Sequence, residues 1–209
     1  MFEQVISENR RIILELLGRQ SSTENFYLAE GTATALHLGH RISEDFDFFS
    51  RQEFETFEII QELSGLGKLT ISGESPGTIH GILDGVKLSF IYYKYPLLYP
   101  TVNILGCQTA DIRDIAAMKM TAISGRGSKK DFFDLYFIIR ERISLDELML
   151  LFDKKYSGIG YSRYHLIKSL AYFEDAEREK NPIMLRPADW KEVKSFFRQQ
   201  QKLLLQAMF

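Results

Sequence analysis

Residues 28–50 read LAEGTATALHLGHRISEDFDFFS. An apolar run leads into Gly31-Thr32, a small-residue turn that opens a short helix, and Gly39 closes that helix. A second hydrophobic run carries Asp45 and Asp47 with only Phe46 between them. On a strand, residues i and i+2 share a face, so this spacing sets the two carboxylates side by side. Like charges that close repel and call for a compensating cation. Oxygen ligands at this spacing suit Mg²⁺ held jointly by protein and phosphates. The helix start after Gly31-Thr32 offers free backbone N–H groups and a hydroxyl to the phosphates themselves. Each feature alone has a simpler use: Thr32 as an N-cap, the aspartates on the wet face of an edge strand. Their combination in one strand–turn–helix–strand unit favours phosphate chemistry.

Bulk properties bound the rest. At 209 residues the chain has room for one large domain or two small ones. An apolar fraction of 45% supports a full core, and 13% aromatic content argues for packed layers. The formal net charge of −2 announces no nucleic-acid partner, so any such binding needs a local basic patch. A single cysteine, Cys107, excludes an internal disulfide framework and fits a reducing compartment. The opening segment is charged and amphipathic, without the apolar centre of a signal peptide. No stretch approaches the roughly 18 apolar residues needed to cross a bilayer. The expectation is a cytoplasmic protein with no membrane partner.

Apolar spacing predicts an opening helix over 4–19, a strand over 25–29, a helix over 32–38 and a strand over 45–49. A helix over 54–63 follows. Three β-rich runs come next, at 68–72, 78–83 and 86–92, with Asp84-Gly85 as a hairpin signal. Another strand is expected over 102–105. Beyond residue 110 the texture is helical: 111–124, 129–140, 144–153, then 162–178 and 187–206. Ser144-x-x-Glu147 and Ser128-x-x-Asp131 both have capping-box spacing.

A second cluster of charge lies in this helical part. The 111–124 helix carries Lys119 inside its apolar stripe, where a lone ammonium is expensive unless paired. Lys119 either snorkels at the border of the stripe or reaches a triphosphate or the Asp pair. Asp131 and Asp134, at i and i+3, share a side of the next helix. Asp131 has a structural use in the first turn; Asp134, inside FFDLYFII, is a candidate partner for Lys119 or Arg126. Arg113, Arg126, Lys129 and Lys130 gather nearby, and the segment Arg126-Gly127-Ser128-Lys129-Lys130 is a candidate to cradle a phosphate backbone. The tyrosines of 92–95 and 161–164 are either base-stacking platforms or core edges. The four histidines and Cys107 show no zinc spacing.

EGTATALHLGHRISEDFDFF, followed by DIRDIAAMKMTAISGRGSKKDFFDLYFIIR, closely resembles the AbiEii/AbiGii toxin family of nucleotidyltransferase-fold proteins. The likeness covers roughly residues 10–140 and weakens toward the end. The resemblance implies an α+β fold: a nucleotidyltransferase-like mixed sheet with flanking helices, then a C-terminal helical bundle. Residues 1–110 would form the nucleotidyltransferase-like domain and 111–209 a helical domain completing the cleft. It also implies Mg²⁺-dependent transfer of a nucleotide from an NTP, with Gly31 and Thr32 on the β,γ-phosphates and Asp45 and Asp47 on the metal. Lys119 would hold the nucleotide's charge, with Arg126 and Lys130 beside it. Asp131 or Asp134 would orient Lys119 or the acceptor hydroxyl. Some relatives modify tRNA 3′ ends as toxins and are neutralised by a winged-helix antitoxin encoded alongside.

Two departures stand out. Many relatives carry a second glycine where this chain has Glu30. Nucleotidyltransferases of this fold usually carry a third acid on a later strand, where Val86–Phe90 offers Ser89; Asp84 substitutes only in a different register. Two functions from different classes follow: an active RNA-modifying nucleotidyltransferase, or a nucleotide- or RNA-binding regulator that has lost the chemistry. A third, a small-molecule nucleotidyltransferase, would label a low-mass acceptor.

Overall fold

Short apolar runs separated by glycine turns form one seven-stranded mixed sheet in the computed structural model, which describes residues 1–207. Its strands are β1 (Phe26–Ala29), β2 (Phe46–Ser50), β3 (Leu69–Ser75), β4 (Thr78–Leu83), β5 (Val86–Tyr92), β6 (Val102–Ile104) and β7 (Cys107–Thr109). They lie in the order β3-β4-β5-β2-β1-β7-β6. β2 runs parallel to β5 and antiparallel to β1, and β1 runs parallel to β7. The β4–β5 hairpin turns at Asp84-Gly85, with φ of 46° and 83°, the left-handed pair that a tight two-residue connection requires.

The helices are α1 (Glu8–Leu17), α2 (Glu30–Leu38), α3 (Thr56–Leu66), α4 (Ile112–Arg126), α5 (Lys129–Glu141), α6 (Leu145–Lys155), α7 (Arg163–Ser169), α8 (Glu174–Glu177) and α9 (Trp190–Gln206). α2 joins β1 to β2 and also packs on α4 and α5, so it couples the sheet to the helical half. Its buried face is built largely of small residues, among them Ala33, Thr34 and Ala35, which lets neighbouring backbones come close. α4 touches α2, α5, α6 and α7 and is buried continuously from Asp114 to Met120. A helix enclosed on all sides has no amphipathic stripe, which is why its pattern reads weakly. Ser128 and Ser144 both close capping boxes, at α5 and α6.

Two aromatic clusters anchor the halves. Phe26, Phe48 and Phe90 stack across three strands, while Phe132 packs against Phe173, Trp190 and Phe197. That second cluster explains a departure from the sequence pattern. The helix expected over 162–178 is broken into α7 and α8, because the turn between them delivers Phe173 to Phe132 and Trp190. The opening helix is shorter than expected, starting at Glu8 after a 3₁₀ turn at Glu3–Val5. β7 was not anticipated; it forms from three residues that pair with β6 and β1. Among the described residues, no helix is long and apolar enough to cross a membrane.

Candidate active site

Three pieces of chain converge on one open cleft of about 440 Å³: the start of α2, the approach to β2, and the α4–α5 junction. Of the residues singled out from sequence, Gly31, Thr32, Asp45, Asp47, Lys119, Arg126, Lys130 and Asp131 all line it. Asp134 does not; it is fully buried behind Lys119. It therefore has no direct access to an acceptor hydroxyl. Arg113 pairs instead with Asp111, and Lys129 is engaged by Glu179, so neither belongs to the cleft.

α2 begins at Glu30, one residue before the Gly-Thr turn, and no side chain caps it. Its first N–H groups have no partner within the helix, the condition under which a helix start attracts anions. Thr32 differs from expectation. Its hydroxyl is buried and committed to the carbonyl of Asp45 and to the Ser43 hydroxyl at 2.8 Å. It ties α2 to the approach to β2 and leaves only backbone N–H groups for a phosphate. Gly31 is required on steric grounds: a Cβ there would stand 2.7 Å from Nη2 of Arg41.

Asp47 projects from β2, and Asp45 lies one residue before the strand, on the same cleft. Burial pushes the Asp47 carboxyl above the ordinary carboxylate range. A hydrogen bond from Ser89 and the charge of Lys119 oppose that rise, while Asp45 adds to it. Register explains Ser89. Asp47 stands opposite Ser89 on β5, and Ser89 stands opposite His80 on β4. Ser89 Oγ and His80 Nδ1 are 3.0 Å apart, so a polar row runs across three strands where a third carboxylate was sought. Asp84 is at the hairpin tip, four positions beyond that row's level, and cannot substitute.

Lys119 is almost fully buried within three carboxylates: Glu30 at 2.6 Å, Asp131 at 2.7 Å and Asp134 at 3.2 Å. Burial alone would push its ammonium down, but Asp131, Glu30 and Asp134 together hold it well above its ordinary value. Asp134 shows the converse. Burial would raise it, yet the Arg41 guanidinium and Lys119 keep it well below the carboxylate range. Arg41 grips Asp134 through two bonds of 2.6 and 2.8 Å, and His40 Nε2 lies 2.8 Å from the same carboxylate. Of the two partners that the sequence offers for Asp134, Lys119 is one and Arg126 is not; Arg41 is a further partner that the sequence does not reveal. The only local signal was a buried-looking His40-Arg41 pair between two structured segments. The tyrosines of 92–95 belong to the core edge: Tyr93, Tyr95 and Tyr156 pack edge to face.

A family model described as "Nucleotidyl transferase AbiEii toxin, Type IV TA system" matches residues 81–207. The chain belongs to the AbiEii nucleotidyltransferase toxin family. The matched span holds Lys119, Arg126, Lys130, Asp131 and Asp134 and starts beyond the Asp pair. An uncharacterized protein of Aquifex aeolicus (strain VF5) is 42% identical over 206 residues, covering 96% of this chain and 98% of the relative. Among solved structures, MenT4, a nucleotidyltransferase toxin from Mycobacterium tuberculosis H37Rv, matches with a TM-score of 0.57 and 14% identity, over 92% of this chain and 80% of that one. JHP933 from Helicobacter pylori matches with a TM-score of 0.55 and 16% identity, over 100% and 96%. At such identities these two structures establish the shared nucleotidyltransferase fold. This AbiEii-family chain is thus a nucleotidyltransferase by family, built on the nucleotidyltransferase fold.

Proposed function

We propose that this chain moves a nucleotidyl group from an NTP to a hydroxyl of an RNA acceptor, the 3′ end of a tRNA, as the toxin of a toxin–antitoxin pair. One observation carries the reading: Asp45, Asp47, the uncapped start of α2 and the Lys119 cluster all open onto the same cleft. In the reaction the acceptor oxygen bonds to the α-phosphorus, the bond to pyrophosphate breaks, and the hydroxyl proton leaves to solvent or a nearby base. The backbone N–H groups of Gly31 and Thr32 suit the pyrophosphate portion. Arg126 and Lys130, at the cleft's exposed edge, supply positive charge to phosphates entering from solvent.

The donor set fits Mg²⁺. Two neighbouring carboxylates, one raised by burial and by the other's charge, form a site short of positive charge. Among the described residues no group of three or more acid, His or Cys side chains is arranged as a protein-only cage. Two carboxylates with the remaining positions left to phosphates and water is the usual Mg²⁺ arrangement. Bound there, the ion would neutralise charge developing on the phosphates. Asp131, fixed by its capping box with Ser128, positions Lys119 from the cleft side, and Asp134 from behind.

The test is incubation of the full chain with α-labelled NTPs, Mg²⁺ and total tRNA. Label on tRNA that survives nuclease removal of all but the 3′ terminus supports the reading. Label only on a low-mass species would point to a small-molecule acceptor, and NTP binding without transfer would leave a regulatory protein. A small winged-helix reading frame beside this gene, whose product silences the transfer, would supply the antitoxin.

A further inference from the structure

Lys119 has three N–H donors, and in this structure three carboxylates surround its ammonium within 3.2 Å, Asp131 accepting a hydrogen bond from it. A phosphate entering the cleft therefore finds the ammonium already ringed by carboxylates. The three partners differ in how firmly they are held. Asp134 is locked by two bonds from Arg41 and one from His40 Nε2. Asp131 is fixed in the capping box by the hydroxyl and N–H of Ser128. Glu30 has Lys119 as its one side-chain partner among the described residues and sits at the mouth, first residue of α2.

The charge count singles out the same residue. Asp131 and Asp134 balance Lys119 and Arg41, two against two. Within the Lys119 cluster Glu30 is the surplus carboxylate, and its charge adds to those of Asp45 and Asp47 in the same cleft. Its backbone is also unusual, with φ of 60°, a left-handed conformation that is strained for a residue bearing a Cβ. Residues held in such conformations cluster at sites of function. Burial, opposed by Lys119, pushes the Glu30 carboxyl above its ordinary range, as expected of an acid held where its charge is in excess.

Resting on the reading of the cleft as an NTP site, we infer that Glu30 is a resident stand-in for the nucleotide's phosphate on Lys119. The incoming phosphate takes the lysine only as the Glu30 side chain swings away, an exchange of one anion for another. Glu30 thus sets nucleotide affinity. It keeps Lys119 satisfied in the empty cleft at the expense of binding strength.

The test compares wild type, Glu30→Gln and Glu30→Gly as full chains. Calorimetry measures binding of each of the four α,β-methylene nucleoside triphosphates with Mg²⁺, and a melting curve is recorded for each variant. Both variants are expected to bind about tenfold tighter, the scale of one like-charge repulsion removed from a partly solvated site. Glu30→Gly is expected to melt at or above the wild-type temperature, because glycine relieves the left-handed backbone. Unchanged or weaker binding with lowered melting temperatures would overturn the inference and make Glu30 a structural partner or a metal ligand. Absence of binding in all three proteins would instead remove the NTP reading, and this inference with it.

Discussion

Lys119 and Lys155 are each 1% exposed, and their surroundings are opposite. Lys155 on α6 meets one carboxylate, Asp114, at 2.7 Å and the carbonyl of Pro96 at 2.7 Å. Asp114 in turn accepts the N–H groups of Leu98 and Tyr99 at 3.0 Å, so the pair fastens the 96–99 loop to α4. Both side chains are completely sealed. Burial outweighs Asp114 there, and the Lys155 ammonium is pushed below its ordinary value. Lys119 meets three carboxylates beside an open cleft and is pushed up instead. A balanced, sealed pair is fastening. An unbalanced cluster at a cleft edge is a place prepared for charge that arrives from outside.

The contrast breaks first at Asp45. Asp45→Ala should lower nucleotidyl transfer by about 10³-fold, near 4 kcal/mol of barrier, while the melting temperature stays close to wild type. Substantial turnover in that variant would mean the cleft's acid pair is not where the chemistry lies. On the other side, Lys155→Met should destabilise the fold by about 3–5 kcal/mol in urea titrations by stranding Asp114, yet leave nucleotide binding by the folded fraction unchanged. Adding Asp114→Asn should recover part of the loss; altered nucleotide affinity would dissolve the distinction between the two lysines.

Asp134 sharpens the comparison, because it is the sealed floor beneath the unbalanced cluster. Asp134→Asn should destabilise by about 2–3 kcal/mol at neutral pH, since Arg41 loses its counter-charge. The native carboxyl titrates well below the unfolded one. Wild type's advantage over the Asn variant is therefore complete above about pH 4 and shrinks as the pH falls further toward the native value. A difference that stays flat down to pH 2 would show that Asp134's charge is not what stabilises. The smallest effect is at the rim. Arg126→Ala should raise the KM for NTP by about threefold at low salt and less at high salt, as expected of an exposed charge.

Much of this was legible locally. Asp84-Gly85 announced its hairpin because only certain residues tolerate its left-handed φ values, and the two serine capping boxes lie within four residues of chain. The Asp pair and the Gly-Thr turn were visible because their spacing is short. The partners were not. Arg41 and Asp134 are 93 residues apart, and His80 reaches Asp47 only through Ser89 on the strand between. Such contacts depend on which strands become neighbours, and no periodicity records that. Thr32 misled for a related reason: a hydroxyl near a helix start reads as free until the neighbouring Asp45 carbonyl claims it. The break between α7 and α8 was hidden because the packing of one phenylalanine outweighed a helical pattern.

The segment just before α9 crosses back to the first half of the chain. Ile183 accepts from the N–H of Ile42, Leu185 and Arg186 donate to the carbonyl of His40, and Met184 bridges Arg41. Two of these, His40 and Arg41, are the residues that clamp Asp134. The 183–186 segment is thereby the outer brace of the pocket wall, and removing it would loosen chemistry encoded some 140 residues earlier. Separating the sheet and the helices into two expressed fragments should fail for the same reason, since each half carries part of the other's scaffolding.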